Sequence, residues 1–404
     1  MNLANIPRRR RVPLLTCAGL AIAILGLAFA AYAADEGDSG GSVQQGQALP
    51  VERIEFAPGH DVESAVCGKC HEDIYEVWQT SVHSQAFVDP VFQAGLAEAI
   101  TAEGSEVAQT CLTCHSPGSM LMEPPIGAEA GQREGIGCFF CHAIRGVDLT
   151  TFPPFDLQTE LVVMGRFEGL ESPVHRIEQS DLLGTPEYCA SCHEYTTPRG
   201  ANVLSTYSEF AGAGHPDYLA CQDCHMPFVL GQVVAPSVQQ PDDFNFVDSH
   251  SIPGGRSLAQ VRRSVLLELV SAEERNGSLE LRVAVENTGS GHFIPTGMPS
   301  KQITLEVSTS WDSFERSERF VFGRRVVDDG GNRLRSVADI MTLGASIPSD
   351  TRLRSGQRRE FSFTLPAPVD AETTLLVRLF YESTEMPRGQ GQLDEDIRRI
   401  QRSF

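Results

Sequence analysis

Hydrophobic and polar positions change their pattern twice along the 404 residues. The chain opens with a basic cluster, Arg8 to Arg11, followed by an unbroken apolar run from Val12 to Ala31 and the small-residue pattern Ala31-Tyr32-Ala33. Residues 1–33 therefore read as an export signal peptide. A run of ~20 apolar residues is also just long enough to span a bilayer, so an uncleaved anchor is the rival reading. Residues 34–58, rich in Gly, Gln, Ser and Pro, form a flexible lead-in. From 59 to 257 the periodicity is short and broken. One helix stands out between His71 and His83, where Ile74, Val77, Trp78 and Val82 recur at helical spacing. From 258 to 390 the period becomes two, in runs at 278–287, 302–311, 319–327, 359–366 and 374–383 separated by turn residues. Successive strands without helical patterns between them predict an antiparallel, immunoglobulin-like β-sandwich rather than an α/β domain. The tail, 391–404, is read as a short helix.

Of the 11 cysteines, Cys17 lies in the first apolar run and the other ten form five copies of one motif. They are Cys67-Gly-Lys-Cys70-His71, Cys111-Leu-Thr-Cys114-His115, Cys138-Phe-Phe-Cys141-His142, Cys189-Ala-Ser-Cys192-His193 and Cys221-Gln-Asp-Cys224-His225. Cys-X-X-Cys-His is the attachment pattern of c-type haem. Two thiols three positions apart on one helical turn reach the two haem vinyl groups. The next residue then falls under the ring, where its imidazole binds the iron. A lone Cys-X-X-Cys also suits a redox disulfide or half a zinc site, and an exported chain can use cysteines as a disulfide framework. Neither alternative requires His after every second cysteine. The expected cofactors are therefore five covalently bound haem c groups, with His71, His115, His142, His193 and His225 as proximal iron ligands. At roughly 30 residues per haem, the segment is too short for a conventional apolar core around each. The fold class is multidomain: a haem-cored, mostly α or irregular pentahaem cytochrome domain at 59–257, then the sandwich.

Six histidines remain, and five irons need five distal ligands if each is bis-histidine. His83 lies 12 residues after His71, ~18 Å along a helix axis, so it serves a neighbouring haem. His175 in a loop held by Pro173, His250 at the end of the haem segment, and His292 in a Gly/Pro-rich turn between two predicted strands are the next three expected distal ligands. His60 and His215 each closely precede a haem motif, and one of the two completes the set. For each of these six the bland alternative is a surface histidine. As a ligand, His292 would tie the sandwich to the haems, with Gly289, Gly291 and Gly297 opening turn conformations and Phe293 and Ile294 flanking the imidazole.

The formal net charge of −21 argues against nucleic acid as a partner, since a phosphate backbone requires Lys and Arg. It suits basic redox proteins, although plain solubility explains it equally well. Membrane attachment is expected only if the N-terminal run stays uncleaved, and the spare histidine leaves room for an oligomer. Export places the protein on the periplasmic or extracellular side of a bacterial envelope.

Longer blocks add to the motifs: "CGKCHEDIYEVWQTSVHSQAF", "GIGCFFCH", "SPVHRIEQSDLLGTPEYCASCHEYTTPRG", "TYSEF", "CQDCHMP" and a GxGHxxPTG-like loop from Gly289 to Gly297. In these the chain resembles multihaem cytochromes c related to hydroxylamine oxidoreductase and to its tetrahaem electron acceptor. The resemblance covers most of the mature chain. It implies His83, His175, His250 and His292 as distal ligands and a β-sandwich after the haem domain. A His at the position of His215 is not a regular feature of that family. The resemblance does not choose a substrate, because the family holds enzymes, shuttles and components of electron conduits. Three functions follow as expectations. The first is an electron carrier whose bis-histidine irons bind no substrate. The second is a haem enzyme acting on a small nitrogen or sulfur compound at one open iron. The Cys-X-X-Cys-Lys motif of pentahaem nitrite reductases is missing, and no clear tyrosine crosslink of hydroxylamine oxidation is present. The third is a subunit of an extracellular conduit or filament.

Overall fold

The computed structural model describes residues 63–118, 134–158, 160, 162–216, 218–238, 246–311, 314–366, 373–383 and 396–403. The signal peptide, the lead-in, Cys17 and His60 lie outside the described residues. No described helix is long and apolar enough to cross a membrane.

Short helices carry the cysteine motifs. Helix α1 (Ser64–Cys67) ends on the first motif cysteine, and His71 is the N-cap of α2 (Glu72–Gln79). The helix expected to run to His83 stops at Gln79. The Ser84 hydroxyl donates to the carbonyls of Gln79 and Ser81 and so takes acceptors that another helical turn would use. Helix α3 (Pro90–Glu103) is capped by Asp89, whose carboxylate accepts from the amides of Val91 and Phe92, with Pro90 fixing φ at the first position. It ends at Gly104, where φ is 90°. Helices α4 (Val107–His115), α5 (Cys138–Ala143), α6 (Pro186–His193), α7 (Thr206–Ala211) and α8 (Cys221–His225) follow. All of these but α7 contain one whole motif, so four of the five motifs sit on helical turns.

Four two-stranded ladders run between these helices: β1 (Ile144–Val147) with β2 (Phe155–Leu157), β3 (Val162–Gly165) with β4 (Arg176–Gln179), β5 (Glu194–Thr196) with β6 (Asn202–Ser205), and β7 (Phe228–Leu230) with β8 (Phe246–Asp248). Apolar clusters here are small. One joins Phe87, Leu96, Ala108 and Leu112, and another joins Phe139 and Ala143.

Helix α9 (Leu258–Ser264) leads into the strand-rich region. Its strands are β9 (Val265–Arg275), β10 (Ser278–Asn287), β11 (Lys301–Trp311), β12 (Phe314–Phe322), β13 (Arg324–Val327), β14 (Ser346–Asp350), β15 (Arg358–Pro366), β16 (Thr374–Ser383) and β17 (Asp396–Ser403), with α10 (Val337–Leu343) between β13 and β14. Two antiparallel sheets, ordered β15-β10-β9 and β12-β11-β16-β17, share one core. The alternation is the cause: Leu279, Leu281, Val283 and Val285 of β10 point inward with Ile303, Leu305 and Val307 of β11 and Leu375, Val377 and Leu379 of β16. Register is consistent with this, since Leu305 pairs with Leu379 and Val283 with Phe361. The expected run 319–327 breaks at Gly323, whose N–H goes to the Thr351 hydroxyl, and so divides between β12 and β13. The tail is not a helix. Residues Asp396–Ser403 pair with β16, and Ile397 and Ile400 join the shared core.

The two regions interlock. Arg324 of β13, buried, donates to the carbonyls of Asn202, Val203 and Gly297 and to the Ser205 hydroxyl. Ala201 and Val203 pack with Val326 and Ile340. All described residues fall in one compact unit.

Candidate haem-binding site

A cavity of about 2410 Å³ runs through the helical region, walled by residues from Val66 to Tyr381. Ordinary small-molecule sites enclose ~300–1,000 Å³, so this one has room for several large groups. All ten motif cysteines and all ten described histidines line it. None of the ten motif cysteines is in a disulfide. Thiols of different motifs meet: Cys67 hydrogen-bonds Cys138, Cys114 hydrogen-bonds Cys192, and Cys189 hydrogen-bonds Cys221. These contacts, with burial, push the Cys67, Cys114 and Cys189 thiols up. The first motif therefore touches the third, the second touches the fourth, and the fourth touches the fifth. Cys224 is the exposed member of the set.

The histidines come together in pairs drawn from distant parts of the chain. His71 faces His175 with ring centres 6.3 Å apart, His193 faces His83 at 6.1 Å, and His225 faces His292 at 6.3 Å. An imidazole nitrogen sits ~2.0–2.1 Å from a first-row metal ion and ~1.1 Å from its own ring centre, so two imidazoles on opposite sides of one metal have centres roughly 6.3 Å apart. The three spacings fit a metal held between the rings. His250 lies near His142 and is the foremost of the imidazoles whose charge would bear on it.

The second ring nitrogen gives an independent check. A ligating histidine fixes its orientation by hydrogen-bonding the nitrogen that does not face the metal. His71 Nδ1 faces the Val233 carbonyl at 2.5 Å, His115 that of Ala86 at 3.0 Å, His142 that of Met164 at 2.7 Å and His225 that of Pro253 at 2.6 Å. Among the expected distal ligands, His250 Nδ1 faces the Asp248 carbonyl at 2.7 Å, and His292 Nδ1 faces both the Ser290 hydroxyl and the Phe293 carbonyl at 2.9 Å. Each leaves Nε2 for the cavity. Burial lowers His83 and His142 to about 4 and His193 to about 3. All three are thus neutral at pH 7, the form that coordinates iron.

Two expected residues behave differently. His215 spends Nε2 on the Gly291 carbonyl at 2.8 Å and packs against Phe210. That bond ties it to the loop before His292. Its competitor, His60, lies outside the described residues. His115 stacks flat on Phe92, with ring centres 3.9 Å apart and planes 8° apart, and no described histidine pairs with it in the manner of the other rings.

The His292 turn is held differently from the expectation. Gly297 does take a left-handed φ of 81°. Gly289 and Gly291 instead permit close approach, since a Cβ at Gly289 would stand 2.8 Å from the Arg263 carbonyl oxygen and one at Gly291 3.0 Å from the Phe210 ring. Ile294 turns away from the imidazole into the two-sheet core, exchanging backbone hydrogen bonds with Leu353.

The family model for cytochrome c554 and c-prime matches residues 66–143, the stretch holding the first three motifs. A comparison with curated proteins finds no match. Among solved structures, a penta-heme cytochrome c552 from Thermochromatium tepidum superposes with a TM-score of 0.67 at 22% identity, covering 86% of this chain and 100% of that one. The fold is that of a multihaem cytochrome c. A beta-glucosidase from Kluyveromyces marxianus also matches, at TM-score 0.17 and 12% identity over 35% of this chain and 14% of its own, too slight a likeness to bear on the cytochrome fold.

Several residues that organise this cytochrome fold gave no signal in the sequence. The carbonyls of Val233, Ala86, Met164 and Pro253 are backbone groups whose positions depend on tertiary structure. Asn287, fully buried, donates its amide to the His292 carbonyl at 2.9 Å. It reads in sequence only as the start of a turn.

Proposed function

We propose that the protein is an exported electron carrier holding five haem c groups through the ten motif thiols. Haem, when bound, supplies an iron that takes up and releases one electron without a covalent bond being made or broken. The residues close the iron faces and exclude water. His71 with His175, His142 with His250, His193 with His83 and His225 with His292 supply imidazole pairs. Trp78, Phe140 and Val247 give the cavity dry walls, which hold redox groups in a low dielectric. The fifth ligand, for the iron of His115, is assigned to His60, the expected ligand outside the described residues. The observation that carries this reading is the set of imidazole pairs at 6.1–6.3 Å inside a cavity lined by every motif cysteine.

The same reading includes a haem domain at 59–257, an immunoglobulin-like sandwich from 258, and kinship with hydroxylamine oxidoreductase and its electron acceptor. It also includes a location outside the cytoplasm and basic redox partners. Intact mass of the exported protein should equal the chain from about Ala34 plus five haems, and a mass fitting four or fewer overturns the count. Electron paramagnetic resonance should show five low-spin irons.

One observation favours a second reading. His115 lacks an imidazole partner among the described residues, so its iron would be open to a small nitrogen or sulfur compound. A single high-spin iron in the wild-type protein, unchanged by His60→Ala, would establish that reading over the first.

A further inference from the structure

We propose that Glu209 is the positioning residue for His292, a buried carboxylate on α7 that fixes the turn 291–297 so that its imidazole stands opposite His225. This rests on the reading of His225 and His292 as ligands of one iron.

Burying a carboxylate is costly unless every acceptor site is used. Glu209 is 6% exposed and uses them all. Oε1 accepts from the Ser205 hydroxyl at 2.7 Å and from the Arg352 guanidinium at 2.5 Å. Oε2 accepts from the Phe293 amide at 3.1 Å and from the Thr296 hydroxyl at 2.7 Å. Two of the four donors thus belong to the turn, one of them the amide directly after His292. The third, Arg352, also serves the turn: its guanidinium lies 5.0 Å from the Phe293 ring centre and reaches the Pro295 carbonyl. Arg352 is itself gripped by both oxygens of Asp350, at 2.9 and 2.7 Å. Thr206, next to Ser205 at the start of α7, adds a hydroxyl contact to Thr296 at 2.9 Å. Asn287 and Ser290 hold the turn from its other side.

A plain stabilising ion pair is the competing explanation. Well-packed apolar side chains of similar volume commonly replace a buried ion pair without loss of stability. They cannot accept the Phe293 N–H, and that bond fixes the peptide that follows His292 and so the direction of its imidazole. Glu209 also balances the positive charge of Arg352 beside this iron. Removing the negative charge while keeping the side-chain shape favours the reduced, more electron-rich state.

The test uses the haem-loaded full chain. His292→Ala should convert one low-spin iron to high spin. If it does not, the ligand reading fails and the proposal falls with it. Given that conversion, Glu209→Gln should leave the same iron low-spin and raise its reduction potential alone among the five. Glu209→Ala should give that iron a mixed-spin population and hasten protease cleavage between 288 and 297. Should Glu209→Ala fail to accumulate, Glu209→Gln decides by itself. An unchanged potential in Glu209→Gln overturns the proposal while leaving the His292 assignment intact. Uniform destabilisation of Glu209→Ala with a normal low-spin spectrum does the same.

Discussion

Residues 63–257 and 258–403 enclose their interiors with different materials. In the two-sheet region 19 buried apolar side chains form one cluster. In the helical region the apolar clusters hold four and two buried residues, and the cavity of about 2410 Å³ is lined by all ten motif thiols and all ten described imidazoles. The first interior is filled by the chain itself. The second is a set of walls shaped for something the chain does not encode as side chains. Stability in the second region is therefore linked to a bound group, much as metal binding is folding free energy in small metal domains.

That contrast breaks most directly when haem attachment is withheld. In a chain made without it, residues 63–257 should be digested to small fragments while a fragment spanning about 258–403 survives. A resistant helical region in the haem-free chain would show that side chains alone suffice there. A smaller effect, confined to the other region, is expected from Leu305→Ala. Leu305 is fully buried between the sheets, so its loss should cost about 2–5 kcal/mol. Urea melting should show this in the sheet signal, with the haem absorbance bands unchanged below that transition.

The smallest expected effect sharpens the comparison in the helical region. Asp89→Ala removes the cap of α3, worth about 1 kcal/mol, and the ion pair with Arg256. Burial tends to raise the Asp89 carboxyl, but the Arg256 guanidinium and the Val91 and Phe92 amides more than reverse this and hold it below the usual range. A depressed carboxyl contributes its stability above the unfolded value of ~3.9 and loses it as pH falls through the lower folded value. The difference between wild type and Asp89→Ala should therefore be full at pH 6 and vanish in strong acid, as followed by thermal melting of the helical signal. Since Phe92 on α3 stacks on His115, the haem held there should show the largest spectral change.

The two regions also differed in how far the sequence disclosed them. The motif chemistry pointed to ten thiols and the five histidines that follow them, all of which line the cavity, because thioether formation tolerates little variation in spacing. The alternation named β10, β11, β15 and β16 nearly to the residue. It missed β9, which begins with the continuous apolar run Val265-Leu266-Leu267, and it misread β17, where Ile397 and Ile400 have a helical spacing. Pairing with β16 settles that segment, and no local pattern reports it. The sequence favoured His83, His175 and His292 as distal ligands and left His215 as one of two alternatives. What separates them is a property of the folded chain alone: His83, His175 and His292 each stand 6.1–6.3 Å, ring centre to ring centre, from a motif histidine, whereas His215 packs on Phe210 with Nε2 at the Gly291 carbonyl.

The cavity's boundary runs from Val66 to Tyr381. Synthesis proceeds from the N-terminus, so when the last motif histidine, His225, has been made, the final wall residue is still 156 positions away (381 − 225). In the folded chain nine of the ten motif thiols are only partly accessible and Cys224 alone is exposed, so a chain not yet closed offers its thiols more freely than a closed one.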